Sequence, residues 1–162
     1  MQLKRYSDYS LRALIYLGLN PHRRCTIHEI ATAYGISVNH LTKLTHRLGQ
    51  HGFIATSRGR KGGLKLAMPA SEISLGDVFR VTEGDVHLVE CFRGEENNTC
   101  PIAGPCVLTN VLESALAAFI NVLDRHTLAD LLAPSQALQA IFAARQDEGA
   151  IRPLATGSGA TA

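Results

Sequence analysis

Residues 26–49 read TIHEIATAYGISVNHLTKLTHRLG, and this stretch decides the fold. Thr26 and Glu29 have the spacing of a capping box, which predicts a helix that begins just after Thr26. Gly35 would end that helix in the left-handed conformation, and Ser37 would cap a second helix. Two short helices joined by so tight a turn are typical of a helix-turn-helix.

The second helix is predicted over residues 38–49, with one apolar and one polar face. Leu41, Leu44 and Leu48 recur three and four residues apart, so we expect them to face the core with Ile30. The opposite face carries side chains that donate hydrogen bonds to base edges and phosphates in a major groove: Ser37, Asn39, His40, Thr42, Lys43, His46 and Arg47. The alternative is a helical hairpin whose polar face is only solvated.

A basic hairpin is predicted directly after these helices. Residues 53–56 and 64–67 read as two short strands, joined by RGRKGG at residues 58–63. A hairpin in this order is the wing of a winged helix-turn-helix, and its tip would contact phosphates or the minor groove through Arg58, Arg60 and Lys61.

Charge is distributed unevenly along the chain. Residues 1–65 carry eleven Lys and Arg against two acidic residues, a net charge of +9, whereas the remaining residues carry five basic and twelve acidic residues, a net charge of −7. A basic half favours a polyanionic partner, and together with the helix-turn-helix it predicts binding to double-stranded DNA.

Composition narrows the class of protein further. The chain has 162 residues and 46% hydrophobic residues, which is enough for a core and excludes global disorder. No run of 18 consecutive apolar residues or leader peptide is evident, so we expect a cytoplasmic protein without a membrane segment. No substrate pocket, cofactor fingerprint or acid–base pair is recognisable, so an enzyme or electron carrier is disfavoured.

A long helix is predicted over residues 107–124, with apolar residues on nearly all sides. One stripe would pack on the chain's own domain and a second stripe on another copy, which predicts a homodimer. The alternative is a fully buried core helix. The predicted fold is mainly α with a small β-hairpin, divided into a winged helix-turn-helix domain (1–68), a connector helix and cysteine loop (69–106), a dimerisation helix (107–133) and a flexible tail (134–162).

Three of the four cysteines follow one another in a polar loop, as Cys91-x8-Cys100-x5-Cys106. Zinc sites usually show closer cysteine pairs, whereas longer and uneven spacings are typical of iron–sulfur clusters. Cys106 begins the long helix, where unpaired N–H groups stabilise a thiolate. The alternatives are a structural zinc, a thiol redox switch or inert cysteines.

Three cysteines leave one ligand position of such a cluster to another residue. The candidates are Asp8, Glu83, Asp85, His87, Glu90 and Cys25. Cys25 lies outside the loop beside the capping box, so we expect it to be a small packed residue. From the residues alone, Asp8 is better explained as an acidic side chain stabilised by a helix N-terminus.

Four segments together resemble the Rrf family of winged-helix bacterial regulators over residues 1–132. They are KRYSDYSLRALIYLGL (4–19), the helix-turn-helix, RGRKGGLKLA (58–67) and the cysteine loop before a long helix. The cysteine spacing is similar to that of the family's nitric-oxide-sensing repressors. The family's regulators of cluster supply have a shorter first spacing and a His ligand three residues after the last Cys, where this chain has Thr109.

The resemblance implies a homodimer with one [4Fe-4S] cluster per subunit, or alternatively [2Fe-2S], held by the three cysteines and by Asp8 from the other subunit. It also implies a repressor whose holo dimer binds a palindromic operator and releases it when nitric oxide nitrosylates the cluster. Arg12 lies four residues after Asp8 and would couple ligation to DNA binding. The alternative is an iron–sulfur or redox regulator that responds to cluster supply, oxygen or peroxide.

Overall fold

The computed structural model describes residues 3–59, 62–94 and 98–150. The described chain is mainly helical with one two-stranded antiparallel hairpin, which confirms the predicted fold class. The predicted wing residues Arg60 and Lys61 and the last part of the predicted tail, 151–162, lie outside the described residues. The elements are α1 (Arg5–Gly18), α2 (Ile27–Tyr34), α3 (Val38–Gln50), β1 (Ile54–Ser57), β2 (Gly63–Leu66), α4 (Leu75–Glu83), α5 (Val107–Asp124), α6 (Leu128–Leu131) and α7 (Ser135–Ala150), with short 3-10 helices at Ala70–Glu72 and Glu90–Arg93.

The helix-turn-helix forms where its capping residues predict it. The Thr26 side chain accepts a hydrogen bond from the Glu29 N–H, and the Glu29 side chain returns to the Thr26 backbone, so the capping box is complete. Gly35 ends α2 at φ 65°, a left-handed conformation that favours glycine. The Ser37 side chain accepts from the His40 N–H and so caps α3.

The hairpin β1–β2 is anchored to the segment before α2. Its register pairs Ile54 with Leu66 and Ser57 with Gly63. The Cys25 N–H donates to the Leu64 carbonyl at 2.9 Å, and the Leu64 N–H donates to the Cys25 carbonyl at 2.8 Å. A Cβ on Gly63 would lie 2.9 Å from the Cys25 carbonyl oxygen, so the approach of these two backbones requires glycine.

Helix α1 runs through the centre of the core. Leu14 and Leu17 on α1 are at most 2% exposed and pack in one cluster with α2, α3 and the hairpin. The predicted core residues Ile30, Leu41 and Leu44 are all buried in this cluster, and Ile36 of the turn is buried with them. Burial of such aliphatic side chains supplies most of the stabilisation in a core of this kind, about 2 kcal/mol for each large side chain.

The start of α1 is tied to the end of α4 through a buried carboxylate. Glu83 is 8% exposed and accepts hydrogen bonds from the Lys4 N–H at 2.8 Å and the Ser7 hydroxyl at 2.6 Å. The Lys4 ammonium lies 3.8 Å from the second carboxylate oxygen. Because Glu83 is the last residue of α4, this contact fixes the point from which the cysteine loop departs.

The predicted flexible tail is wrong for its first half, because residues Ser135–Ala150 form helix α7. Phe142 packs edge-on against Tyr16 and Tyr34, with ring centroids 5.4 and 5.1 Å away. Two long polar side chains reinforce this docking, since Gln139 donates to the Leu19 carbonyl and Arg145 donates to the Ala33 carbonyl. The Gly- and Ser-rich composition of the last residues predicts a flexible tail. The helix before them depends on contacts with residues far away in sequence, which composition does not reveal.

Helix α5 packs on α4 with one face and leaves another apolar face exposed. Phe119 stacks edge-on against Phe79 at 5.3 Å, and Asp124 accepts a 2.6 Å hydrogen bond from Arg80. The predicted alternative of a fully buried core helix is therefore wrong, because no α5 residue is buried. Among the described helices, α5 alone has the length and hydropathy that would allow it to cross a membrane.

Replacing Glu83 by Ala should lower the free energy of unfolding by about 2 kcal/mol, because the buried Ser7 hydroxyl and Lys4 N–H would lose their acceptor. Urea denaturation at fixed protein concentration measures this change. Glu72→Ala is the matched control, since Glu72 is exposed in the short 3-10 helix before α4, and its effect should stay within about 0.5 kcal/mol. Equal effects of the two substitutions would contradict the structural role of Glu83.

Candidate nucleic-acid interface and cysteine site

The outer surface of α3, with the preceding Ser37, forms an exposed polar face that we call the reading face. Leu41, Leu44 and Leu48 hold the helix on the core at 1% exposure or less, which turns the other side outward. Every side chain that the sequence assigns to this surface is exposed: Ser37, Asn39, His40, Thr42, Lys43, His46 and Arg47. All seven carry hydrogen-bond donors, and two of them are cations at neutral pH.

The wing lies beside the reading face, with a groove between them. This groove has a volume of about 430 Å³ and is lined by Thr42 and His46 from α3 and by Ser57 and Arg58 from the hairpin. Arg58 is exposed at the end of the described part of the wing. A groove that carries Arg58 at the wing and polar side chains of α3 presents donors both to base edges and to a phosphate backbone.

The first turns of α1 support the reading face from behind. The Arg47 guanidinium lies 6.0 Å from the centre of the Tyr6 ring, and the Tyr6 hydroxyl donates to the Lys43 carbonyl at 3.5 Å. On the neighbouring side, the Tyr9 ring is 6.3 Å from the His40 ring. A displacement of α1 would therefore change the contacts of residues on α3 directly.

The three cysteines of the loop differ from the fourth in their surroundings. Cys91, Cys100 and Cys106 are free thiols and half-buried, whereas Cys25 is free and fully buried. Burial raises the pKa of the Cys25 thiol. Cys25 also belongs to the core cluster beside the wing, which confirms the expectation that it is a packed residue.

Two of the loop thiols lie at a single threonine on α5. The Thr109 hydroxyl oxygen is 3.5 Å from the Cys91 sulfur. Cys106 is the N-cap residue of α5 but its side chain makes no capping hydrogen bond, and hydrogen bonding from the Thr109 backbone N–H lowers the pKa of its thiol. In the described ranges of the chain, no three His, Cys, Asp or Glu side chains are grouped closely enough to hold a metal ion.

The other candidate ligands fall into distinct environments. Glu83 is buried and already bonded to α1, and Glu90 accepts from the Thr99 hydroxyl at 3.3 and 3.5 Å. Asp85 and His87 line a cavity of about 400 Å³ between the loop and α5. Asp8 lies elsewhere, on the first turn of α1, with 42% of its side chain exposed.

Asp8 forms a bidentate ion pair with Arg12, as the four-residue spacing predicts. The distances are 2.9 Å from the Arg12 Nε to Oδ1 and 2.8 Å from an Nη to Oδ2. The Arg12 guanidinium also lies 5.9 Å from the centres of the Tyr9 and Tyr34 rings. Tyr34 is the last residue of α2, and burial raises its pKa to about 12.

Sequence reasoning singled out the cysteines, Asp8 and Arg12 as candidates but did not single out the residues that contact them. In the sequence Thr109 stands out only because it is not a His, although the third position of a helix capped by Cys106 could have indicated contact with that thiol. Tyr34 gave no sequence signal, because an aromatic residue at a helix end is usually core. The structure is therefore needed to connect Arg12 to the helix-turn-helix.

Comparison with known proteins identifies the family. The Rrf2 family, described as "Iron-dependent Transcriptional regulator", matches residues 3–134. The chain belongs to the Rrf2 family. Relatives called "HTH-type transcriptional regulator NsrR" include one from Shouchella clausii, 47% identical over 88% of this chain and 95% of its own length, and one from Bacillus subtilis, 47% identical over 82% and 90%.

Solved structures of Rrf2 relatives have the same fold. T. potens IscR is 26% identical, with a TM-score of 0.65 over 82% of this chain and 86% of that one. The oxidised form of Staphylococcus aureus CymR is 29% identical, with a TM-score of 0.65 over 82% and 97%. The sequence relatives and the family are named as transcriptional regulators, so the predictions of a DNA-binding regulator and of a non-enzymatic class are confirmed.

Alkylation of the metal-free protein should distinguish Cys106 from Cys25. Near neutral pH the lowered pKa gives Cys106 a larger thiolate share, whereas Cys25 is buried and its pKa is raised, so Cys106 should react first with iodoacetamide. Peptide mass mapping over time measures both rates. In denaturant the two rates should converge. Equal rates in the folded protein would contradict the contrast between an accessible Cys106 thiolate and a buried Cys25 thiol.

Proposed function

We propose that this Rrf2 regulator is a nitric-oxide-sensing transcriptional repressor whose DNA binding depends on an iron–sulfur cluster. The observation that carries the proposal is a loop with three free, half-buried thiols attached to a winged helix-turn-helix. The similarity of its cysteine spacing to that of the family's nitric-oxide-sensing repressors supports the signal. A bacterial regulator that binds DNA works in the cytoplasm, where the DNA is.

The DNA partner is a palindromic operator read by two copies of the reading face. Ser37, Asn39, His40, Thr42, Lys43, His46 and Arg47 would enter the major groove, and the wing, with Arg58, Arg60 and Lys61, would lie along the adjacent backbone. In a two-fold dimer the half-sites are separated by about one helical turn of DNA. Because several phosphate contacts release counterions, binding should weaken steeply as salt rises.

The second copy would cover the exposed face of α5. Val107, Val111 and Val122 are 71%, 57% and 46% exposed, although an apolar stripe of this kind is costly to leave in water. The neighbouring stripe is half-buried against α4 through residues such as Phe119. Glu113 and the Arg80–Asp124 pair favour a protein partner for this helix over a lipid environment.

The cysteine loop has the donor chemistry of an iron–sulfur site. Thiolate sulfur is the usual ligand of these clusters, and the three thiols are free, accessible and spaced unevenly within one segment. Cys91, Cys100 and Cys106 would hold the cluster, with the partner subunit's Asp8 as the fourth ligand. Such a cluster, [4Fe-4S] by preference, would supply iron that reacts with nitric oxide.

Asp8 and Arg12 provide a route from ligation to the DNA-binding surface. Both oxygens of Asp8 are engaged by Arg12 in the single chain, so an Asp8 that ligates iron has less of its charge available to Arg12. The Arg12 guanidinium also lies 5.9 Å from the centres of two rings, Tyr9 on α1 and Tyr34 at the end of α2. A change in the Asp8–Arg12 pair would therefore alter the packing between α1 and the helix-turn-helix. Couplings of about 1–3 kcal/mol change affinity by about 5- to 150-fold.

A second candidate function is regulation by cluster supply, oxygen or peroxide. The family description "Iron-dependent" and the likeness to T. potens IscR support it. Thr109 counts against the cluster-supply branch, because that branch is expected to have a His ligand at this position. Loss of DNA binding with oxygen but not with nitric oxide would favour this second candidate.

The decisive experiment is native mass spectrometry of anaerobically purified protein, with operator binding measured in parallel before and after nitric oxide. We expect a dimer with the added mass of one [4Fe-4S] per subunit, which loses both the cluster mass and operator affinity when nitric oxide is added. Cys100→Ala should lose the cluster while remaining dimeric.

Cys25→Ala is the matched control for this experiment, because Cys25 is a cysteine of the same chain that lies in the core. Its cluster content should equal that of the wild type. A zinc mass, or an intact cluster after excess nitric oxide, would contradict the proposed sensor.

Asp8→Ala should change the cluster absorption spectrum and slow or weaken the response to nitric oxide without unfolding the protein. Asp77→Ala is the matched control, since Asp77 is also an acidic residue in the first turn of a helix and pairs with Arg80. Anaerobic absorption and circular dichroism spectra measure the two effects. An Asp8→Ala spectrum identical to that of the wild type would assign the fourth ligand to another residue.

A further inference from the structure

We propose that Thr109 is a positioning residue for the cysteine site, whose hydroxyl donates a hydrogen bond to the Cys91 sulfur and holds it beside Cys106. This inference rests on the proposed cluster function and deepens it. Thr109 supplies no ligand atom in this scheme. Its role is to fix two of the three ligands in space and to place a donor against sulfur.

The position of Thr109 follows from the start of α5. Cys106 is the N-cap residue and α5 begins at Val107, so Thr109 is the third residue of the helix. A side chain at this position points back over the helix N-terminus, toward the residue that caps it. Thr109 is half-buried there, which restricts its hydroxyl to few partners.

The partner of the hydroxyl comes from the far end of the cysteine segment. Cys91 lies in the short 3-10 helix Glu90–Arg93, fifteen residues before Cys106, and its sulfur is 3.5 Å from the Thr109 hydroxyl oxygen. A single side chain on a long helix thus brings together thiols from the first and last turns of the loop. The position of Cys100 is set separately, by its N–H donating to the Asn98 side chain at 3.0 Å.

A hydroxyl in this place has two physical consequences. It lowers the entropic cost of ligation, because Cys91 is already held near Cys106 before iron binds. It also donates to a sulfur that carries negative charge when deprotonated, and hydrogen bonds to ligand sulfurs alter the reduction potential of iron–sulfur clusters. Residues that orient ligands in this way typically change metal affinity by about 10–100-fold when replaced.

The test compares Thr109→Val, Thr109→Ala and Thr109→Ser with the wild type after anaerobic reconstitution with iron and sulfide. Thr109→Val keeps the shape but removes the donor, and Thr109→Ser keeps the donor. We expect the Val and Ala variants to lose iron to a chelator about tenfold faster than the wild type, with shifted thiolate-to-iron absorption bands and a lower reduction potential. Thr109→Ser should behave like the wild type.

Ser114→Ala is the matched control, because Ser114 lies on the same helix and its hydroxyl donates to the Asn110 carbonyl, away from the cysteines. Its chelation rate and spectrum should equal those of the wild type. If the wild type retains a cluster and the Val and Ala variants match it in both measurements, the role of Thr109 is wrong and the proposed function stands. If the wild type retains no cluster, the proposed function fails and this inference fails with it.

Discussion

Helix α1 packs against the helix-turn-helix with one face and against α4 with another, and the two halves of the molecule are joined through this double contact. Its apolar residues fill the core beneath α2 and α3, while its first turn is fixed to the end of α4 by the buried Glu83 carboxylate. A rigid helix in this position transmits displacement with little loss, since packed interiors resist small deformations. DNA reading and the cysteine loop therefore share one mechanical element.

The parts of the fold that the sequence predicts correctly are those with local causes. The capping box at Thr26 and Glu29, the left-handed Gly35 and the alternation along the hairpin each depend on residues a few positions apart. Helix α7 has the opposite character. Its docking depends on contacts of Phe142 with Tyr16 and Tyr34, more than a hundred residues earlier, and no local sequence pattern predicts such contacts.

The candidate site divides in the same way. Cysteine spacing predicts the loop and the type of ligand, because uneven spacings of this length are typical of iron–sulfur clusters. Asp8 could be proposed as a ligand only through the resemblance of the chain to the family, since an acidic residue in the first turn of a helix usually has a simple electrostatic explanation. The roles of Thr109, Tyr34 and Glu83 depend on tertiary contacts, so spacing alone could not reveal them.

The way the cysteine loop is attached limits how far a rearrangement of the loop can move the rest of the chain. The loop starts at the end of α4 and finishes at the start of α5, and these helices are already joined to each other by Phe79–Phe119 and by Arg80–Asp124. Both ends of the loop are thus held by one packed pair, so a rearrangement of the loop alone has little leverage on the rest of the same chain. A ligand from another element escapes this restriction. Asp8 belongs to α1, which contacts α2 and α3 directly, so under the proposed function its binding to iron or its release would affect α3, which loop motion alone would not.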